Sequence, residues 1–122
     1  MAAVLLIDDN PVQLRAREAV LRSAGFETYT AGTQESALAL LRSRVSERIG
    51  AIITDHIMPG SSGREFVCAL RAARPRMPVI VITGLAEAEE DYRGLDVTFC
   101  QKPCPPEELI ALARSATSAS AR

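Results

Sequence analysis

Four apolar runs, each cut off by polar residues, constrain this chain more than any other feature. Ala3-Val4-Leu5-Leu6-Ile7 stops at Asp8-Asp9, and Ala51-Ile52-Ile53-Thr54 stops at Asp55. Pro78-Val79-Ile80-Val81-Ile82 stops at Thr83-Gly84, and Val97-Thr98-Phe99 leads into Lys102-Pro103. A strand apolar at successive positions must be covered on both faces, as in a parallel sheet flanked by helices. If the runs are neighbouring parallel strands, three carboxylates, a hydroxyl and an ammonium meet at one edge.

The segments between the runs have helical period. Strands are expected at 3–7, 27–31, 51–54, 78–83 and 97–101, with the more polar Glu27-Thr28-Tyr29-Thr30-Ala31 at an edge. Helix one takes Asn10 as N-cap and Pro11 at its first position. It places Val12, Ala16, Ala19, Val20 and Ser23 on one face and ends at Gly25. Helix two starts at Thr33 and carries Ala37, Leu38, Leu41 and Val45, with Arg44-Val45-Ser46-Glu47-Arg48 as its prolongation. Helix three starts near Ser62-Gly63, carries Phe66, Val67 and Leu70, and ends before Pro75. Leu85 to Arg93 reads as a short fourth helix. A fifth starts at Pro105-Pro106-Glu107-Glu108 and carries Leu109, Ile110, Leu112 and Ala113, with residues 115–122 as a frayed tail. This alternation predicts one domain, residues 1–122, with an α/β, flavodoxin-like, doubly wound sheet of strand order 2-1-3-4-5 in three layers. Ligands bind such sheets at the carboxyl ends of the strands, beside the switch point between strands one and three.

Composition excludes several classes. Aromatics are 4% with no Trp, too few rings for a platform that stacks single-stranded nucleic acid. A formal net charge of -1 supplies no general attraction for a phosphate backbone, so no direct nucleic-acid binding is expected. No run approaches the ~18 apolar residues of a membrane span, and no targeting segment is visible, so a cytoplasmic location is the default. The odd cysteine count (Cys68, Cys100, Cys104) argues against a disulfide framework. Cys68 reads as a small buried residue of helix three. Cys100 and Cys104 would lie ~13 Å apart in extended chain, too far for a bond unless the chain bends at Lys102-Pro103. A zinc site is a poor fit, since His56 is the lone histidine and no two cysteines have a two-residue spacer.

The acids dominate the chemistry. Two carboxylates ~4 Å apart repel by roughly 4 kcal/mol at an effective dielectric of ~20. A hard cation such as Mg²⁺ relieves that repulsion and accepts carboxylate, carbonyl and water ligands. Taken singly, each residue has a plainer role. Asp8-Asp9 could be a solvated turn capping helix one, Lys102 a surface lysine, and Thr83 a strand-end β-branched residue. Their shared position at strand ends favours a joint site for a divalent cation and a phosphoryl group.

In that order and spacing the motifs Leu5-Leu6-Ile7-Asp8-Asp9-Asn10-Pro11, Ile53-Thr54-Asp55-His56-Ile57-Met58-Pro59-Gly60, Val81-Ile82-Thr83-Gly84 and Phe99-Cys100-Gln101-Lys102-Pro103 resemble the receiver domains of two-component response regulators. The resemblance runs from Val4 to about Ala113, and receivers are themselves a known instance of this strand order. It implies that Asp55 accepts a phosphoryl group from a phosphohistidine on a sensor kinase or phosphotransfer protein. It implies that Asp9, Asp55 and the Ile57 carbonyl bind Mg²⁺ directly, with Asp8 acting through water. Lys102 would pair with the acyl phosphate beside a cis Lys102-Pro103 bond, Thr83 would close onto a phosphoryl oxygen, and Phe99 would be the aromatic that turns inward. Phe99 as a permanent core ring is the plainer alternative.

Such a protein is not a conventional enzyme; it catalyses its own phosphotransfer and loss of the phosphoryl group. Ile57 and Leu85, two residues after Asp55 and Thr83, are apolar and cannot orient water, so slow self-dephosphorylation is expected. The interval from Thr83 to Lys102 is about one helical turn short for the family, so helix four should be stunted or irregular. That weakens any inference of a dimer through this face. A scaffold that is never phosphorylated is the competing reading. A Mg²⁺-dependent phosphatase fits poorly, since such enzymes carry a second Asp where Ile57 stands. Met1 just before strand one suits an independent start, and a piece cut from a larger regulator or hybrid kinase would look the same.

Overall fold

A computed structural model describes residues 2–56, 58–60, 62–84 and 86–120. Five parallel strands form one sheet: β1 (Ala3–Ile7), β2 (Thr28–Ala31), β3 (Ile49–Asp55), β4 (Val79–Thr83) and β5 (Thr98–Gln101). Their order is β2-β1-β3-β4-β5, as the apolar runs require. β1 and β4 are buried at every position, whereas the edge strands β2 and β5 are partly exposed. β3 begins two residues earlier than expected, at Ile49. The register explains this: Ala3 pairs with Ile49 but Val4 with Ala51, so Gly50 is an extra residue in the ladder.

Alternate strand residues feed two cores. Leu5, Ile7, Ile52, Val79 and Val81 pack with Ala37, Leu41, Phe66, Val67 and Leu70 from α2 (Gln34–Leu41) and α3 (Gly63–Ala73). Val4, Leu6, Ile53, Ile80 and Ile82 pack with Leu21 of α1 (Pro11–Ser23) and with Leu109 and Ala113 of α4 (Pro106–Ser120). The result is the expected three-layer α/β/α arrangement.

Local chemistry sets the helix ends. The Asn10 side chain accepts from the amides of Val12 and Gln13, Thr33 forms a capping box with Ser36, and Ser62 accepts from the Glu65 amide. Gly25 follows α1 at φ 96°, a conformation that favours glycine.

Several local expectations need correction. The buried side of α1 is Leu14, Arg17 and Leu21, with Val20 of the expected face also packed against the core; Val12 is 76% exposed, and Ala16, Ala19 and Ser23 are exposed too. α2 is not prolonged. The Ser43 hydroxyl turns back to the Leu40 carbonyl, and Arg44–Arg48 forms a separate 3₁₀ helix, held to the end of α3 by Arg74 on Ser46. The expected fourth helix is a 3₁₀ helix, Ala86–Tyr92, in line with its short connection. α4 continues as helix to Ser120, past the start of the expected frayed tail. Cys68 is exposed, because Phe66, Val67 and Leu70 take the inward stripe of α3 and residue 68 falls outside it. Cys100 and Cys104 form a disulfide. The chain bends at Lys102 and Pro103, so their Cα atoms lie 6.1 Å apart, within reach of a bond.

Candidate functional site

Asp8 and Asp55 are fixed by backbone bonds at the ends of their strands. The Asp8 amide donates to the Ala31 carbonyl at 3.2 Å, carrying the β1–β2 ladder one residue further. The His56 amide does the same to Ile82 at 2.9 Å, which anchors Asp55 at the end of β3. Ligand atoms of Asp8, Asp9 and Asp55 all lie within 4.8 Å of one another. The three carboxylates therefore converge as the strand ends suggested.

Their surroundings differ. Asp8 is buried, and both its oxygens are engaged: Oδ1 accepts from the Asn10 amide at 2.9 Å and Oδ2 from Arg17 Nη1 at 2.8 Å. Burial pushes the Asp8 carboxyl above its ordinary range; the Asn10 amide opposes this, the Asp55 charge adds to it, and Arg17 partly offsets both. Asp9 is exposed. Asp55 is largely shielded, and Lys102 Nζ stands 3.0 Å from its Oδ1. That contact is an ion pair without hydrogen-bond alignment, and Oδ1 is buried with no hydrogen-bond partner among the described residues. An acceptor left in that state favours a further cation.

Lys102 is carried by the loop after β5, and its amide donates to the Thr83 carbonyl at 2.7 Å. The Lys102-Pro103 bond is cis, as expected. Thr83 is buried at the end of β4, one residue beyond the partner of Asp55 in the β3–β4 register. Ile57 and Leu85 lie outside the described residues. Phe99 is half-buried, pairs with Val81 in register, and sets its ring edge-on to Tyr92 at 5.5 Å.

Sequence reasoning missed three residues here. Arg17 neutralises part of the acid cluster; it lies one turn from both Leu14 and Leu21 on the buried side of α1, which could have drawn attention to it. Tyr92 is buried at the end of the 86–92 helix, and its hydroxyl lies 2.8 Å from His56 Nδ1, beside the acceptor. Burial pushes the Tyr92 phenol up to about 12, with the Asp91 and Asp55 charges adding to the shift. Gly63 accommodates this contact, since a Cβ there would overlap the Tyr92 hydroxyl. An aromatic in an otherwise acidic, Ala-rich stretch was the available signal for Tyr92.

Hard oxygen donors and one orphaned carboxylate oxygen suit a divalent cation such as Mg²⁺. The flanking ammonium suits a phosphoryl group. The chain is 30% identical over 115 residues to a probable transcriptional regulatory protein, TcrX, of Mycobacterium tuberculosis, covering 92% of this chain and 48% of the relative. It is 31% identical over 111 residues to the cell cycle response regulator CtrA of Brucella ovis, covering 88% and 47%. The chain thus spans about half the length of these relatives. Among solved structures, a response regulator receiver domain protein from Clostridium thermocellum superposes with TM-score 0.88 at 25% identity, covering 99% of this chain and 98% of that one. The chemotaxis protein CheY4 of Vibrio cholerae gives TM-score 0.80 at 30% identity over 95% and 98%. The family profile described as response regulator receiver domain matches residues 4–114, and with fold, sequence and site chemistry in agreement, this chain belongs to the response regulator receiver domains.

Proposed function

We propose that the protein is a phosphoacceptor switch in which Asp55 receives a phosphoryl group from a phosphohistidine on a sensor kinase or phosphotransfer protein. The observation that carries this reading is the pairing of Asp55 with Lys102 at 3.0 Å inside a cluster of three carboxylates. Phosphoryl transfer asks mainly for positioning and charge stabilisation, and these residues provide both.

Asp55 attacks as the carboxylate. Lys102 stabilises the charge gathered on the phosphoryl oxygens. Asp9 and Asp55 would hold Mg²⁺ directly, and the ion would supply further charge neutralisation. Asp8 acts one layer out, a role that suits a carboxylate whose two oxygens are already engaged by Asn10 and Arg17. The Ile57 carbonyl completes the proposed ligand set. Thr83, at the end of β4, closes onto the product. The added charge at Asp55 then shifts Phe99 and its neighbour Tyr92, and a partner protein reads the altered surface. Apolar Ile57 and Leu85 make loss of the phosphoryl group slow. The proposed setting is cytoplasmic, and no helix among the described residues is long and apolar enough to cross a membrane. Whether the chain acts alone or within a longer regulator, and whether it pairs weakly with itself, does not alter the site.

Beryllofluoride with Mg²⁺ separates a switch from an unphosphorylated scaffold. In a heteronuclear NMR titration, a switch shifts the resonances of Thr83, Phe99 and Lys102 together. A scaffold leaves Phe99 unmoved, and that result would remove the proposal.

A further inference from the structure

Resting on the receiver reading, we propose that Cys100 and Cys104 are a reversible redox pair whose state governs how Lys102 is held against Asp55. The two sulfurs bracket the cation of the site. Their bond closes a ring of five residues, Cys100-Gln101-Lys102-Pro103-Cys104, around that lysine. Cys100 is buried under α4 in the core with Ile80, Ile82 and Leu109 and pairs with Ile82 in the sheet, so it is a fixed point. Cys104 is half-buried and precedes α4, so the bond ties the start of that helix to the sheet.

Access to the bond comes from the Cys104 side. Cys104 lines a cavity of about 250 Å³ with Ala16, Arg17, Val20 and Leu109. Arg17 is the residue that neutralises Asp8, so this cavity borders a partner of the acid cluster. The Glu108 carboxylate lies within 4.8 Å of both sulfurs. Cys68 sits exposed on α3, whose core is the other one, and serves as an internal control.

With the ring closed, Lys102 is held through its amide on the Thr83 carbonyl and through both sulfur anchors. With it open, the Cys104 anchor is lost and the exposed loop gains freedom. Opening requires a dithiol reductant. One thiolate of the reductant attacks Cys104 Sγ, the S–S bond breaks, and Cys100 Sγ leaves and takes a proton. The second thiolate then displaces Cys104 Sγ, which is protonated in turn. The reductant ends as a disulfide, and the protein gains two electrons and two protons. A disulfide oxidant reverses the sequence.

The test equilibrates the folded protein in buffers of reduced and oxidised dithiothreitol of graded potential and reads three quantities. Maleimide alkylation and intact mass should show two thiols appearing together while Cys68 is alkylated throughout. Hydrogen exchange at Gln101, Lys102 and Cys104 should quicken in the reduced form. Labelling of Asp55 by acetyl phosphate with Mg²⁺ should be slower in the reduced form by at least about threefold, as expected of a displaced catalytic group. Cys104→Ser should behave as the reduced form in every buffer. Cys100 and Cys104 reacting like Cys68 at all potentials would overturn the proposal, as would equal labelling of the two forms. If neither form is labelled but exchange still follows the thiol state, the receiver reading fails while the redox hold on Lys102 stands.

Discussion

The acidic half and the cationic half of the site are built on different foundations. Asp8 and Asp55 end strands buried on both faces, locked by ladder bonds to Ala31 and Ile82. Lys102 follows β5, an edge strand with two of its four residues exposed, and the segment before it is a 3₁₀ helix rather than a full α-helix. A metal-binding cluster needs fixed spacing, and a strongly packed centre provides it. The lysine rides on a thinly covered edge, so its position depends on the loop that carries it. The site thus joins a rigid anion platform to a cation positioned by its loop.

This contrast can be broken by substitution, starting with the largest effect. Ile52→Ala, at a fully buried position of β3, should cost about 2–5 kcal/mol in denaturant unfolding. Thr98→Ala on exposed β5 should stay within about 0.5 kcal/mol, and similar losses at the two sites would erase the distinction. Lys102→Ala should slow Asp55 labelling on the order of 10²-fold while leaving the unfolding midpoint nearly unchanged. A large loss of stability instead would mean that the lysine belongs to the rigid half.

Tyr92→Phe sharpens the boundary between the halves. Loss of the contact to His56 Nδ1 should cost about 1 kcal/mol. It should also change the alkaline limb. The folded phenol titrates near 12 and the unfolded one at its ordinary value of 10, so between these the folded state holds the extra proton. Stability contributed by Tyr92 is therefore complete below pH 10 and falls as pH rises toward 12. Tyr92→Phe should flatten that decline in a pH series of thermal melts. An unchanged slope would show that the ring is not buried as described.

What could be read in the sequence follows the same division. Asp8, Asp55 and Lys102 were visible because each lies at or just beyond the end of an apolar run, and continuous apolar runs have few foldings open to them. The strand order followed from the alternation of runs and helices. α1 was misread because its few apolar residues are spread around the helix, so the stripe through Leu14 and Leu21 competed with one through Val12 and Ala16. Tyr92 was missed because a 3₁₀ segment has no long apolar period to reveal which side faces inward. The Cys100–Cys104 pairing depended on a bend whose sharpness no local pattern specifies.

The most direct test of the central claim is peptide mapping by mass after incubation with acetyl phosphate and Mg²⁺. One phosphoryl group on Asp55, not incorporated when Mg²⁺ is chelated and absent from Asp55→Asn, is the expected result. Incorporation that survives Asp55→Asn, or that ignores Mg²⁺, would contradict it.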